Sequence, residues 1–109
     1  MVRSLEKHLP LLRQIKAALR QGYGGRLADV IVFGSYVRGE AHKDSDVDLA
    51  VVLRGDVNRL AEIDRIHDLI YDLELQSTEL ISVYPISEEE LGDTEWPLHA
   101  HIRQEGVVV

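Results

Sequence analysis

Two short β-branched runs on either side of a glycine–aspartate segment limit the fold more than any other feature of this chain. Ala28-Asp29-Val30-Ile31-Val32-Phe33 stops at Gly34, and Val47-Asp48-Leu49-Ala50-Val51-Val52-Leu53 closes on Arg54-Gly55-Asp56. Each is too short for a buried helix and is bounded by turn residues, so both read as buried strands. A third run, Glu79-Leu80-Ile81-Ser82-Val83-Tyr84, reads as a strand opened by Glu79 and ended by Pro85. Helical spacing surrounds them. Leu9, Leu12, Ile15 and Leu19 mark an amphipathic helix, with Pro10 in its first turn and Gly22, Gly24 and Gly25 at its end. Leu60, Ile63, Ile66, Ile70 and Leu73 mark a second, with Asp56 or Asn58 as its N-cap. Ser87 and Glu90 have capping-box spacing for a short helix. Pro97 to Gln104 predicts another, stopped by Gly106, and Val107-Val108-Val109 offers an edge strand. The order α-β-β-α-β-α predicts a two-layer α/β (α+β) domain. Its small mixed sheet carries helices on one face and leaves the other face open.

Composition narrows the class. The 109 residues, with no repeat, low-complexity tract or linker, suit a single domain spanning 1–109. Hydrophobic residues at 45% and charged residues at 28% exclude a disordered or collagen-like chain. No apolar run approaches the roughly 18 residues of a membrane span, and the start is charged rather than an apolar signal core. Without cysteine there is no disulfide framework, thiolate zinc site or thiol nucleophile. A cytoplasmic protein is the expectation. The net charge of −7 disfavours sequence-independent nucleic-acid binding, because a phosphate backbone is repelled by the average field. A small phosphorylated ligand remains compatible, since bound cations reverse the sign locally.

The chemistry concentrates in Phe33-Gly34-Ser35-Tyr36-Val37-Arg38-Gly39 and Asp44-Ser45-Asp46-Val47-Asp48-Leu49. Gly34 ends a strand where a missing Cβ lets backbone approach a ligand closely. Ser35 adds a hydroxyl, and neighbouring backbone N–H groups can cradle phosphate. Asp46 and Asp48, two apart, project from one face of a strand. Such a pair repels itself unless a cation lies between its members, and oxygen ligands without His or Cys suit Mg²⁺ or Mn²⁺. A calcium loop is rejected: it requires Gly at its sixth position and Glu at its twelfth, where this chain has Leu49 and Gly55. Taken alone, Gly-Ser is as consistent with a plain turn; the whole arrangement describes a metal-dependent nucleotide enzyme.

Gly34-Ser35, ten intervening residues, then Asp46-Val47-Asp48 resembles the signature of the DNA polymerase beta-type nucleotidyltransferase superfamily. The string from Gly34 to Leu49 is most similar to its minimal (MNT) members, which are often antitoxins paired with a HEPN-domain toxin. The ending Ile102-Arg103-Gln104-Glu105-Gly106 adds weaker support. The resemblance implies a palm-like domain in which Gly34 and Ser35 hold the triphosphate of ATP. It also implies that Asp46 and Asp48 bind two Mg²⁺ ions, roughly 3.5–4 Å apart in such sites. The family usually adds a third carboxylate on a neighbouring strand, and Glu79 is the best match. Glu79 is longer than the commoner Asp, and on a strand opening there Ile81 and Val83 share its face while Ser82 points toward the helices. Arg38 and Lys43 lie in the intervening loop; Arg38 offers charge for the transferring phosphate or, equally, loop solubility, and Lys43 reads more as loop solubility. Tyr36 offers stacking or packing. His42 and the His99-x-His101 pair receive no role, and the Ser87–Glu90 cluster reads as a cap with a solvated face.

Three functions compete on these residues. The first is transfer of AMP from ATP to a hydroxyl, which the resemblance places on a tyrosine of a HEPN toxin. That assignment makes the chain the antitoxin of a pair. The second is a non-catalytic antitoxin that masks its partner by binding. The third is a nucleotidyltransferase for a small molecule such as an antibiotic, and those enzymes generally carry an added acceptor domain.

Overall fold

In the computed structural model, residues 5–41 and 46–109 are described. The expected helical periods become the two long helices. After a 3-10 turn at Leu5–His8, α1 (Leu9–Tyr23) starts on Pro10 and ends at Gly24. Helix α3 (Arg59–Gln76) is capped by Asn58, whose side chain accepts the Ala61 N–H at 3.3 Å. The strands β1 (Leu27–Phe33), β2 (Val47–Leu53), β3 (Ile81–Ser87) and β4 (Val107–Val108) form one sheet in the order β3-β2-β1-β4. β1 pairs antiparallel with β2 and β4, and β2 pairs parallel with β3 through the α3 crossover. The mixed sheet matches the sequence reading. No helix among the described residues is long and apolar enough to cross a membrane.

Alternation along the strands sends their apolar residues to two separate cores. Val30 and Val32 of β1, Val47, Leu49, Val51 and Leu53 of β2, and Ile81 and Val83 of β3 pack with Leu12, Ile15 and Leu19 of α1 and Ile66 and Ile70 of α3. Each such aliphatic side chain contributes about 1.5–3 kcal/mol on full burial. Tyr23 donates its hydroxyl to Glu62 at 2.9 Å and Arg26 meets the same carboxylate at 2.6 Å, so the buried Glu62 joins the end of α1 to α3.

Two expectations are amended. The second face is not left fully open: the short helices α4 (Glu88–Gly92) and α5 (Pro97–Glu105) place Leu91 and Ile102 against Ile31, Ala50, Val52 and Ile86. Nor does Pro85 end the third strand, which runs on to Ser87. Proline lacks a ladder N–H, and β3 tolerates it because it is an edge strand with β2 as its one partner.

The capping box is present as spaced: Ser87 accepts from the Glu90 N–H at 3.0 Å, and the Glu90 carboxylate accepts from the Ser87 N–H at 3.1 Å. Burial opposes the Glu90 charge, but the Ser87 N–H and the Arg59 guanidinium at 2.7 Å outweigh it and hold the carboxyl below its ordinary range. Its contribution to stability is therefore present above the unfolded-chain value and lost as pH falls through the lowered folded one. Ser87→Ala should cost about 1 kcal/mol, read as a melting temperature lower by roughly 4–8 °C. A thermal melt at neutral pH checks this, and an unchanged midpoint would show that the cap does not hold α4.

Candidate active site

The site forms where β1 ends beside the start of β2. Phe33, the last residue of β1, pairs with Asp48, so the chain leaves the sheet at Gly34 directly against that aspartate. Gly34 has φ of +84°, a left-handed conformation that side chains disfavour. A Cβ built there would lie 2.2 Å from Asp48 Oδ2. The glycine that opens the phosphate-type turn and the aspartate of the pair are thus in van der Waals contact. Ser35 follows, half-buried, as the first residue of the single-turn helix α2 (Ser35–Arg38). The Gly34 carbonyl accepts from the N–H groups of Val37 and Arg38 at 3.1 Å each, which closes the turn. Where sequence reading expects only a loop, residues 35–38 are helical.

Asp48 points to the face of β2 shared with Ala50 and Val52, away from α1 and α3. It is half-buried and Asp46, just before β2, is exposed. Burial first, then the Asp46 charge, push the Asp48 carboxyl above its ordinary value, and Arg38 pulls it back in part. That coupling places the three charges in one electrostatic unit. Arg38 is exposed and meets Glu40 at 3.2 Å and Glu105 of α5 at 3.4 Å. α5 accordingly crosses the face behind the pair, from His99 beside Tyr84 at one end to Glu105 beside Arg38 at the other.

Glu79 is not brought to this face. It lies ahead of β3 with its carboxylate accepting from Thr78 Oγ1 at 2.6 Å and 3.7 Å from His8 Nδ1. The neighbour of Asp48 on β3 is Ser82, which is exposed on the open face while Ile81 and Val83 face the long helices. The orientation expected for these three residues is reversed, and the apolar pair was the signal: Ile81 and Val83 must bury, which forces Ser82 outward. Tyr36 is buried and packs edge-on to the His8 ring at 5.0 Å, in the core role. Buried His99 bonds Tyr84 Oη and the Asp93 carbonyl at 3.3 Å each, as a satisfied structural histidine. His42, Lys43 and Asp44 lie outside the described residues.

A hard divalent cation fits the donors present. Mg²⁺-type ions bind through one or two carboxylates and complete their shells with substrate phosphates and water. Asp46 and Asp48 supply such a pair, Asp48 half-buried and Asp46 exposed. Among the described residues no group of three or more His, Cys, Asp or Glu gathers as a metal cage.

The family model described as "Nucleotidyltransferase domain" matches residues 12–108. A Methanocaldococcus jannaschii protein named as a protein adenylyltransferase is 33% identical over 99 residues, covering 90% of this chain and 93% of that one. The protein adenylyltransferase MntA of Thermococcus cleftensis is 50% identical over 48 residues, 44% of this chain and 46% of its own. A solved structure described as a minimal nucleotidyltransferase superposes with a TM-score of 0.56 at 28% identity, covering 92% of this chain and 93% of that one. A Sulfolobus solfataricus structure described as a nucleotidyltransferase gives a TM-score of 0.59 at 20% identity, covering 94% and 78%, a likeness of fold alone.

Proposed function

The chain belongs to the nucleotidyltransferase domain family, and from that membership we propose that it transfers AMP from ATP to a hydroxyl of a protein. The acceptor we propose is a tyrosine of a HEPN-type toxin that the chain silences as its antitoxin, in the cytoplasm. The observation that supports it best is the contact of Gly34 with Asp48, which makes the turn and the carboxylate pair one site rather than two motifs. The curated relatives named as protein adenylyltransferases support the acceptor class.

In this reading Gly34 and Ser35 seat the triphosphate, and Arg38 leaves Glu105 to balance its charge. Asp46 and Asp48 would hold Mg²⁺, which when bound would supply charge stabilisation to the phosphate oxygens. The acceptor oxygen forms a bond to the α-phosphorus, the bond from that phosphorus to the bridging oxygen of the β-phosphate breaks, and pyrophosphate leaves. The hydroxyl proton passes to solvent. Positioning and charge stabilisation are most of what such a transfer requires. Glu79 has no part in it, being directed away from the pair. A second reading, masking of the toxin by binding alone, is favoured by Ser82 standing where a third carboxylate would complete the site. The test is intact-mass measurement of the protein with the partner it retains in its host, after incubation with ATP and Mg²⁺. An AMP-sized gain on the partner is expected; an unchanged mass in a stable complex would favour masking.

A further inference from the structure

On the same face as Asp48, but across β2 from Gly34, a cavity of about 460 Å³ opens beside β3. That is within the usual range of ligand clefts. Tyr84 forms its floor, and Arg59, Trp96, Leu98 and His99 stand around it. It is prebuilt: Arg59 stacks over the Tyr84 ring at 4.6 Å and is pinned by the Pro85 carbonyl at 3.0 Å and Glu90 at 2.7 Å. His99 locks Tyr84 from the other side. The rim is apolar and unusually bare, with Trp96 64% and Leu98 39% exposed.

We propose that this cavity is the docking site for the acceptor polypeptide, and that the segment it takes is basic. The inference rests on the AMP-transfer reading above. In-line displacement puts the attacking oxygen opposite the leaving group. The turn at Gly34–Arg38 lies on the β1 flank of the pair and seats the leaving pyrophosphate, so the acceptor enters over β3. Ser82 is beside Asp48, and Tyr84 projects from the same face about 7 Å further along the strand. The cavity is therefore within one or two residues' reach of the transfer point. Charge selects the occupant. Glu89, Asp93 and Glu95 are exposed along the segment leading to Trp96, while Arg54 and Arg59 nearby are already paired with Glu88 and Glu90. Such a rim attracts a basic segment and repels a polyphosphate.

Trp96 is the chain's one tryptophan, so its emission reports occupancy directly. The full chain would be titrated with two synthetic peptides, each with a central tyrosine, flanked in one by arginine and lysine and in the other by glutamate. The basic peptide should shift Trp96 emission to the blue and saturate, and the acidic one should not. Added salt should weaken the first, and Leu98→Ser should weaken it about tenfold or more. A Trp96 shift with ATP and Mg²⁺ as large as with the basic peptide would overturn the proposal in favour of a nucleotide pocket. So would equal binding of both peptides, or of neither. AMP gain on the toxin partner without any peptide response sinks the docking site alone. Saturable basic-peptide binding supports the site even where no transfer occurs, and there it is the transfer reading that falls.

Discussion

Replacing Asp46 and Asp48 together by asparagine should lower AMP transfer by on the order of a thousandfold and leave the protein folded. A cation held by the pair supplies several kcal/mol of charge stabilisation in the transition state, and each 1.36 kcal/mol is a factor of ten in rate. The same change should make the metal-free protein more stable. Burial and the neighbouring Asp46 raise the Asp48 carboxyl above its ordinary value. Such a group favours the folded state below the unfolded-chain value of about 4, and that advantage is lost as pH rises through the folded value. At neutral pH the ionised pair is a cost that asparagine removes. In the absence of divalent cations the variant should melt higher than wild type at pH 7, by a few degrees. The gap should narrow as the pH falls through the unfolded-chain value of about 4, since the raised Asp48 carboxyl takes up its proton before the unfolded chain does. Intact-mass assays and melts at the two pH values read both effects. A variant that transfers AMP at the wild-type rate ends the two-carboxylate mechanism. One that no longer transfers AMP but still silences the partner fully establishes masking as the means of neutralisation.

Gly34→Ala is the second large effect. A non-glycine residue at positive φ costs about 1–2 kcal/mol, and the new Cβ would stand 2.2 Å from Asp48 Oδ2, so the turn or the carboxylate must move. A displacement near 1 Å at a reacting centre costs on the order of a hundredfold. The expectation is a hundredfold loss of transfer with a melting temperature lower by roughly 10 °C. Gly55→Ala separates the two causes. Gly55 has the same φ of +84° at the far end of β2, but a Cβ added there would meet nothing within 4 Å. It should lose stability and keep activity. Equal activity losses in both variants would show that general destabilisation, not the contact with Asp48, explains the Gly34 result.

Much of this arrangement was legible in the sequence because local chemistry and tertiary packing agree there. The periods of α1 and α3, the β-branched runs of β1 and β2, and the Ser87–Glu90 box each have one physical solution, and the structure adopts it. The pairing of β1 with β2 then brings Gly34 to Asp48, a contact that the spacing of the two motifs implied without fixing its closeness. What failed was the start of the third strand. Glu79 sits after Ser77 and Thr78, whose hydroxyls bond Glu79's own backbone and carboxylate, and this local alternative holds the segment out of the ladder. Strand register therefore begins at Ile81, and the faces are set by Ile81 and Val83, which bury against the long helices and turn Ser82 outward. Glu105 was equally hidden, since its meeting with Arg38 spans 67 positions and leaves no local trace.

β2 is hydrogen-bonded on both sides, to β1 and to β3, and nearly all of its side chains are buried. Its amides separate from their partners only when the whole domain opens, whereas the turn at Gly34–Arg38 is a single helical turn able to fray alone. Asp48 thus belongs to the global cooperative unit and the Gly34–Arg38 turn to a local one. A ligand seated at this turn would enter and leave with fluctuations of the turn while Asp48 stays in place, and the ordering entropy of its binding would fall mainly on one short segment.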